Sequence, residues 1–176
     1  MKRVFRVAEI VFLFAVLTVF TQVGGFIYLL YKLIAGQIRK RVEHRWYSIG
    51  LRTGSFIGLW LLFSLLIIPL LAQSLGRVPL PLYTTTEHSI RPGNLLLCLA
   101  NRHYVKPELK STLINISQEL EQKYPGTDLI YLDANFPFID GFDLLPHLSH
   151  NDGEKIDICF LYRDPEDGEM KNSAPT

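Results

Sequence analysis

The chain has 176 residues and a formal net charge of +1, but this near-neutral balance hides two unlike halves. Residues 1–76 carry nine Lys and Arg against two acidic residues, whereas residues 77–176 carry nine against fifteen. A basic, mostly apolar half followed by an acidic, mostly polar half indicates two physical environments rather than one domain; the alternative is a soluble bundle with two buried helices. The basic segment also lacks the interleaved aromatic residues of a nucleic-acid surface, so we expect no nucleic-acid partner.

Two long apolar runs occupy the first half, at residues 10–31 and 53–75. Each is about the ~20 residues that a helix needs to cross a bilayer, and neither has the polar face of a surface helix. The first run is too long for a signal peptide, and no small-x-small cleavage site follows it. We therefore predict that residues 1–76 form two transmembrane helices whose partner is the lipid bilayer.

Basic residues between the two runs predict the orientation of this anchor. The loop at residues 32–52 holds six Lys and Arg against Glu43 alone, which places it in the cytoplasm by the positive-inside rule. The chain beyond Gly76 then lies on the other side of the membrane. Lys2, Arg3 and Arg6 argue for a cytoplasmic N-terminus instead, but the loop outnumbers them.

The second half has the pattern of a small α+β domain. Residues 77–93 are rich in Pro and Thr and are predicted to form a linker. Residues 94–100, 128–133 and 155–162 are predicted strands, and a helix is predicted to begin at Pro107 and to end before Pro125-Gly126. About 80 ordered residues is small for such a core, so the 94–176 domain is expected to be partial.

Two cysteines, Cys98 and Cys159, both fall on predicted strands. Outside the cytoplasm they could form a disulfide. They could equally remain two separate buried thiols that pack as small apolar side chains.

A His and an Asp near the end of the chain form the most informative pattern. His150 precedes a predicted Asn-Asp-Gly turn, and Asp157 lies in the strand that follows. A hairpin pairing the two would place an imidazole and a carboxylate on one face, which supplies two of the three protein ligands of a catalytic zinc. The alternative is a capped turn with a solvated Asp.

Ser149-His150-x-x-Gly153-x-x-x-Asp157 resembles the zinc signature of a known enzyme superfamily. Its members are the D-alanyl-D-alanine peptidases and penicillin-insensitive murein endopeptidases of bacterial cell walls, which share the hedgehog fold. Residues 101–105 (NRHYV) and 131–138 (YLDANFPF) also resemble membrane-anchored bacterial proteins of this kind. The resemblance covers roughly residues 94–162. It implies zinc bound by His150 and Asp157, peptidoglycan peptides as substrate, and an extracytoplasmic domain on a bacterial inner or plasma membrane.

The resemblance also implies a substrate-binding Arg and a third zinc ligand. Arg102 lies ahead of the motif and is the candidate for contacting the substrate or an oxyanion; the alternative is a surface or salt-bridged Arg. The family's third ligand belongs to a downstream His-x-His, but no His follows Asp157 here. His147 could substitute, but its spacing from His150 need not converge on a strand or loop and the family does not use it; His103 is possible but has no supporting motif. The chain is therefore expected to be the N-terminal part of a longer peptidase and inactive by itself.

Two functions follow from these features. The first is a membrane-anchored zinc metallopeptidase acting on peptidoglycan peptides, with an incomplete site in this chain. The second is a non-catalytic membrane protein whose extracytoplasmic tail binds a partner or cell-wall material.

Overall fold

The computed structural model describes residues 2–165, 168 and 170–172. By its internal contacts the chain divides into two compact units, Met1–Leu70 and Leu71–Thr176.

The first unit is helical. Its elements are α1 (Lys2–Thr21), α2 (Gly24–Arg41) and α3 (Arg45–Leu62), and α3 continues through a π-helical turn (Phe63–Ile67) into α4 (Ile68–Ser74), which crosses the boundary between the units. Two stretches, Val4–Thr21 and Arg45–Ser74, are long and apolar enough to cross a membrane, in agreement with the prediction of two such helices. The π-helical turn lies just before Pro69, which cannot donate a helical backbone hydrogen bond.

The first apolar run is not one helix, which corrects the predicted boundaries. The chain breaks between α1 and α2, where Gln22 adopts a left-handed conformation with φ of 64°. Helix α2 then folds back against α1, and a Cβ added to Gly25 would lie 2.6 Å from the Phe14 carbonyl oxygen. The adjacent glycines permit this close approach because they have no side chains.

The predicted 32–52 loop is also mostly helical. Residues 32–41 belong to α2 and residues 45–52 to α3, so only the short segment 42–44 connects them. Tyr31 and Phe56 pack edge to face across the two helices, with ring centroids 5.2 Å apart. Because α2 runs back along both neighbours, the start of α1, the end of α2 and the start of α3 lie together.

The second unit is a mixed α/β structure with short strands. Strand β1 (Val78–Pro79) pairs antiparallel with β3 (Tyr104–Val105), and β2 (Ile90–Pro92) pairs parallel with β4 (Leu129–Tyr131). Strands β5 (Leu161–Arg163) and β6 (Met170–Asn172) form a separate antiparallel pair. Residues 77–93 therefore supply two strands rather than a linker, and Leu80 and Ile90 from this segment are buried in the core.

The predicted strand at residues 94–100 is a short helix, α5 (Leu95–Leu99). The Asn94 side chain caps it by accepting a hydrogen bond from the Leu96 backbone N–H at 2.9 Å. A single short apolar run has no periodicity that distinguishes a strand from a helix. Here the Asn94 cap favours the helix. The predicted helix after Pro107 is confirmed as α6 (Pro107–Lys123).

Strand β4 confirms the prediction for residues 128–133, and it organises the last predicted strand. Residues 157–159 run antiparallel to β4, with the Cys159 N–H donating to the Ile130 carbonyl at 2.8 Å. Only an isolated bridge, Tyr131 to Ile158, forms there, so the predicted strand at 155–162 is regular only from Leu161.

The two cysteines are separate buried thiols, and no disulfide joins them. Cys98 lies with its sulfur 3.6 Å from the Tyr131 hydroxyl. Burial raises the pKa of the Cys98 thiol to about 11, so it stays protonated at neutral pH.

Candidate metal centre

His147, His150 and Asp157 converge at the end of β4. Each offers one ligand atom, and the three atoms lie within 4.8 Å of one another. His147 Nδ1 is 3.1 Å from Asp157 Oδ2, and His150 Nε2 is 3.3 Å from Asp157 Oδ1. The predicted pair of His150 and Asp157 is thus brought together.

Buried His150 is oriented by the backbone that follows β4. Its Nδ1 lies 2.9 Å from the Ala134 carbonyl oxygen. Because a carbonyl only accepts, Nδ1 carries a proton and donates it, and Nε2 is the ring nitrogen that faces Asp157. Histidines that bind metals are commonly fixed in this way.

Asp157 reaches the site through strand-like pairing rather than through the predicted hairpin. Its N–H donates to the Asp133 carbonyl at 2.7 Å, and its own carbonyl accepts from the Leu132 N–H at 2.8 Å. The segment that carries His150 is held separately, at Ala134. Both residues therefore take their positions from the end of β4.

His147 joins the site, contrary to our expectation. A tight turn, closed by the His150 N–H donating to the His147 carbonyl at 3.0 Å, folds the two residues together. Their rings lie 5.3 Å apart at a tilt of 34°. The His-x-x-His spacing was the available signal, since residues three apart meet within one turn of chain although they diverge along a strand.

Gly153 of the motif has a structural reason to be glycine. Its φ is +79°, and a Cβ added there would lie 2.9 Å from Nε of the buried Arg77. Arg77 also donates to the Phe136 carbonyl at 3.0 Å and pairs with Asp140. Its guanidinium thus packs against both ends of the loop that carries the two histidines.

Asn135, which is fully buried, fastens the same loop from the other side. Its side-chain oxygen accepts from the Gly153 N–H at 3.1 Å, and its side-chain nitrogen donates to the Lys155 carbonyl at 2.8 Å. The turn between His150 and Asp157 is thereby tied to the core.

Arg102 does not present its guanidinium as a free substrate-binding group. Its Nε and Nη2 each donate to one carboxylate oxygen of Asp133 at 2.7 Å, and both side chains are buried. Of the two predicted alternatives, the structure shows the salt-bridged Arg. The pair still lies beside the site, because Asp133 Oδ2 is 3.7 Å from His147 Nε2.

His103 is not one of the converging residues of the cluster. Its ring packs against that of Tyr104, with centroids 4.7 Å apart. Burial, with a smaller contribution from Lys110, lowers the pKa of His103 to about 4. It is therefore a neutral core residue at physiological pH.

Comparisons with protein-family models, with curated proteins and with solved structures find no match to this chain. Its interpretation depends on the chemistry of the site. Two imidazoles and one carboxylate are a recognised donor set of catalytic zinc sites, which leave a fourth position for water. His147 is about two-fifths exposed, so the cluster faces solvent on one side. These residues fit zinc in identity, number and convergence.

Proposed function

We propose that this protein is a membrane-attached zinc hydrolase that acts on peptidoglycan peptides. The convergence of His147, His150 and Asp157 is the observation that carries the proposal, because it supplies a third ligand in addition to the two of the sequence motif. The substrate class, the bacterial extracytoplasmic setting and the hedgehog/DD-peptidase fold type are supported by the resemblance of residues 149–157 to cell-wall peptidases. The two membrane-length helices supply the attachment.

The residues have distinct tasks in this proposal. His147, His150 and Asp157 would hold the zinc, which when bound acidifies a water and polarises a carbonyl. His150 is kept in one tautomer by the Ala134 carbonyl. His147 turns Nδ1 toward Asp157 and Nε2 toward Asp133, whose carboxylate at 3.7 Å contacts this nitrogen electrostatically rather than through a hydrogen bond.

Arg102 acts one step further from the metal. It donates a hydrogen bond to each oxygen of Asp133 and so fixes the carboxylate that faces His147. This makes Arg102 a positioning residue rather than the substrate or oxyanion contact that was one of its two predicted alternatives. Partners of metal ligands typically change metal affinity by about 10- to 100-fold when they are removed.

The alternative function is a non-catalytic domain that binds a partner or cell-wall material. One observation favours it: the histidines already lie 3.1 and 3.3 Å from Asp157, so an ion-pair network could hold them together without a metal.

Metal content and hydrolysis separate the two functions. The full chain, purified in detergent and stripped with a chelator, should take up one zinc and then cleave peptides ending in D-alanyl-D-alanine or cross-linked cell-wall peptides. His150→Ala, Asp157→Ala and His147→Ala should each weaken zinc binding by more than about 100-fold. His88→Ala, which removes a histidine outside the cluster, is the matched control and should leave it unchanged.

The outcomes are distinct. One bound zinc without hydrolysis would favour the non-catalytic function. No zinc uptake, or equal losses in the His88 control, would exclude the metal centre itself.

A further inference from the structure

A cavity of about 330 Å³ lies in the first unit, far along the chain from the His-Asp cluster. All three long helices contribute to it, at the end where the start of α1 meets the end of α2 and the start of α3. Its lining residues are Arg6, Glu9, Lys32, Ala35, Gly36, Arg39 and Arg52.

The charges that line this cavity are unbalanced. Four are cationic and only Glu9 is acidic. Within the part of the chain that the structure describes, no ion pair joins Glu9 to any of the four. Cations held around one space repel each other, and an anion between them relieves that repulsion.

Hydrogen-bond donors of the residues that line the cavity also lack acceptor partners. Nε of Arg52 is buried and has no hydrogen-bond partner. The Lys32 ammonium lies 5.6 Å from the centre of the Tyr28 ring, which places a cation but satisfies none of its N–H donors with an oxygen. A buried donor without a partner is costly, so a ligand rich in acceptor oxygens would complete this site.

Small residues leave room for such a ligand. Gly36 has no atom near the position a Cβ would occupy, and Ala35 beside it is buried. Arg and Lys side chains that converge on a space of this size suit a phosphate, because a guanidinium can donate two parallel hydrogen bonds to its oxygens.

We propose that this cavity binds the phosphate group of an anionic lipid headgroup. The cavity lies at the basic end of a unit whose helices are long and apolar enough for a bilayer, so a lipid phosphodiester is the phosphate most available to it. Free phosphate has the same chemistry and is distinguished by the experiment. The proposal does not depend on the zinc site.

The test uses the full chain in nanodiscs of phosphatidylcholine, titrated with short-chain phosphatidylglycerol. Binding is followed by the fluorescence of Trp46 and Trp60, which both lie in α3. We expect saturable binding that Arg39→Gln and Arg52→Gln each weaken by about fivefold or more. Glu9→Gln should strengthen binding, because it removes an acid that lines the cavity.

Two charge-matched controls test whether the site is local. Lys40→Gln and Arg41→Gln remove the same charge from neighbouring positions of α2 that do not line the cavity. They should change binding by less than twofold. Equal losses in all four cation variants, or no preference for phosphatidylglycerol over phosphatidylcholine, would overturn the proposal.

Inorganic phosphate then identifies the source of the ligand. Weak competition at millimolar concentration is expected if the lipid phosphodiester is the natural ligand. Competition stronger than that of phosphatidylglycerol itself would overturn the assignment to lipid and leave a free phosphate site.

Discussion

His103 and His150 are both buried, but their ring nitrogens meet different surroundings. His150 Nδ1 has the Ala134 carbonyl as a partner, which leaves its other nitrogen available to a metal. His103 Nδ1 has no hydrogen-bond partner, and its ring packs against Tyr104. Protonating His103 would therefore cost desolvation energy that no partner offsets. Buried His150 instead has a partner for Nδ1 and keeps its other ring nitrogen available to a metal.

The depressed pKa of His103 predicts a loss of stability in acid. Its folded-state pKa of about 4 lies below the ordinary value of 6.5, so the unfolded chain binds more protons between these values. The stabilisation is complete above about pH 6.5 and is lost progressively as the pH falls toward 4. We expect about 2 kcal/mol less stability at pH 5 than at pH 8 from this residue.

Hydrogen exchange of α6 and β4 amides, corrected for intrinsic rates, would measure that free energy. His103→Gln should remove the His103 share of the pH dependence, whereas His88→Gln should retain it. An unchanged slope in His103→Gln would show that another group titrates.

At the scale of an element, the loop between Phe136 and Asp157 carries the two histidines and is held in place by core residues that contact it from two sides. Arg77 packs beneath Gly153, and Asn135 binds its N–H. The Lys106 N–H also donates to the Gly153 carbonyl at 2.8 Å. Gly153 is therefore not a flexible hinge of this loop; it is the residue through which the loop is attached to the core.

Gly153→Ala should therefore disturb the site, and Gly126→Ala supplies a matched comparison. Both glycines have positive φ, but only Gly153 has an atom in the way of a Cβ. The left-handed conformation should cost each variant about 1–2 kcal/mol of stability. Gly153→Ala should lose more than that, and its zinc affinity should fall by about tenfold or more as the loop shifts.

Urea unfolding and zinc titration of the two variants would measure this difference. Equal destabilisation with zinc binding intact in both would mean that Arg77 yields to the added methyl group and that the contact does not position the site.

For the whole molecule, the helix break at Gln22 changes the membrane topology that the positions of the basic residues predict. With two spanning helices, the basic N-terminus and the basic 32–52 segment would face opposite sides of the membrane. The fold of α2 along α1 and α3 instead gathers Arg6, Arg39 and Arg52 around one cavity. If α2 crosses the bilayer together with α1 and α3, the three basic residues near the N-terminus and the other six lie on the same side, as the positive-inside rule favours.

We predict that the N-terminus and residues 42–44 both face the cytoplasm and that the chain after Ser74 is exported. Single cysteines placed at these positions, in a variant with Cys98 and Cys159 replaced by Ala, should react with an impermeant maleimide only after the membrane is opened. An alkaline phosphatase fusion after Leu75 should be active. Labelling of the N-terminal cysteine in sealed cells would restore the arrangement with two spans.

Features that depend on neighbouring residues could be predicted from the sequence. Apolar length predicted the two membrane-length helices, and Pro107 with Pro125-Gly126 predicted α6, because transfer into lipid and helix ends are governed by local chemistry. The pairing of His150 with Asp157 was also predicted, from a short motif that places both near one turn.

Features that depend on distant contacts were decided only by the tertiary structure. The fold of α2 against α1 required the approach of Gly25 to Phe14, and the engagement of Arg102 required Asp133, which lies 31 residues away. A local turn places His147 beside His150, but the pair meets Asp157 only because Arg77, Asn135 and Ala134 hold their loop against the end of β4. No local pattern encodes such contacts, since each depends on where the packed core places a partner that is remote in the chain.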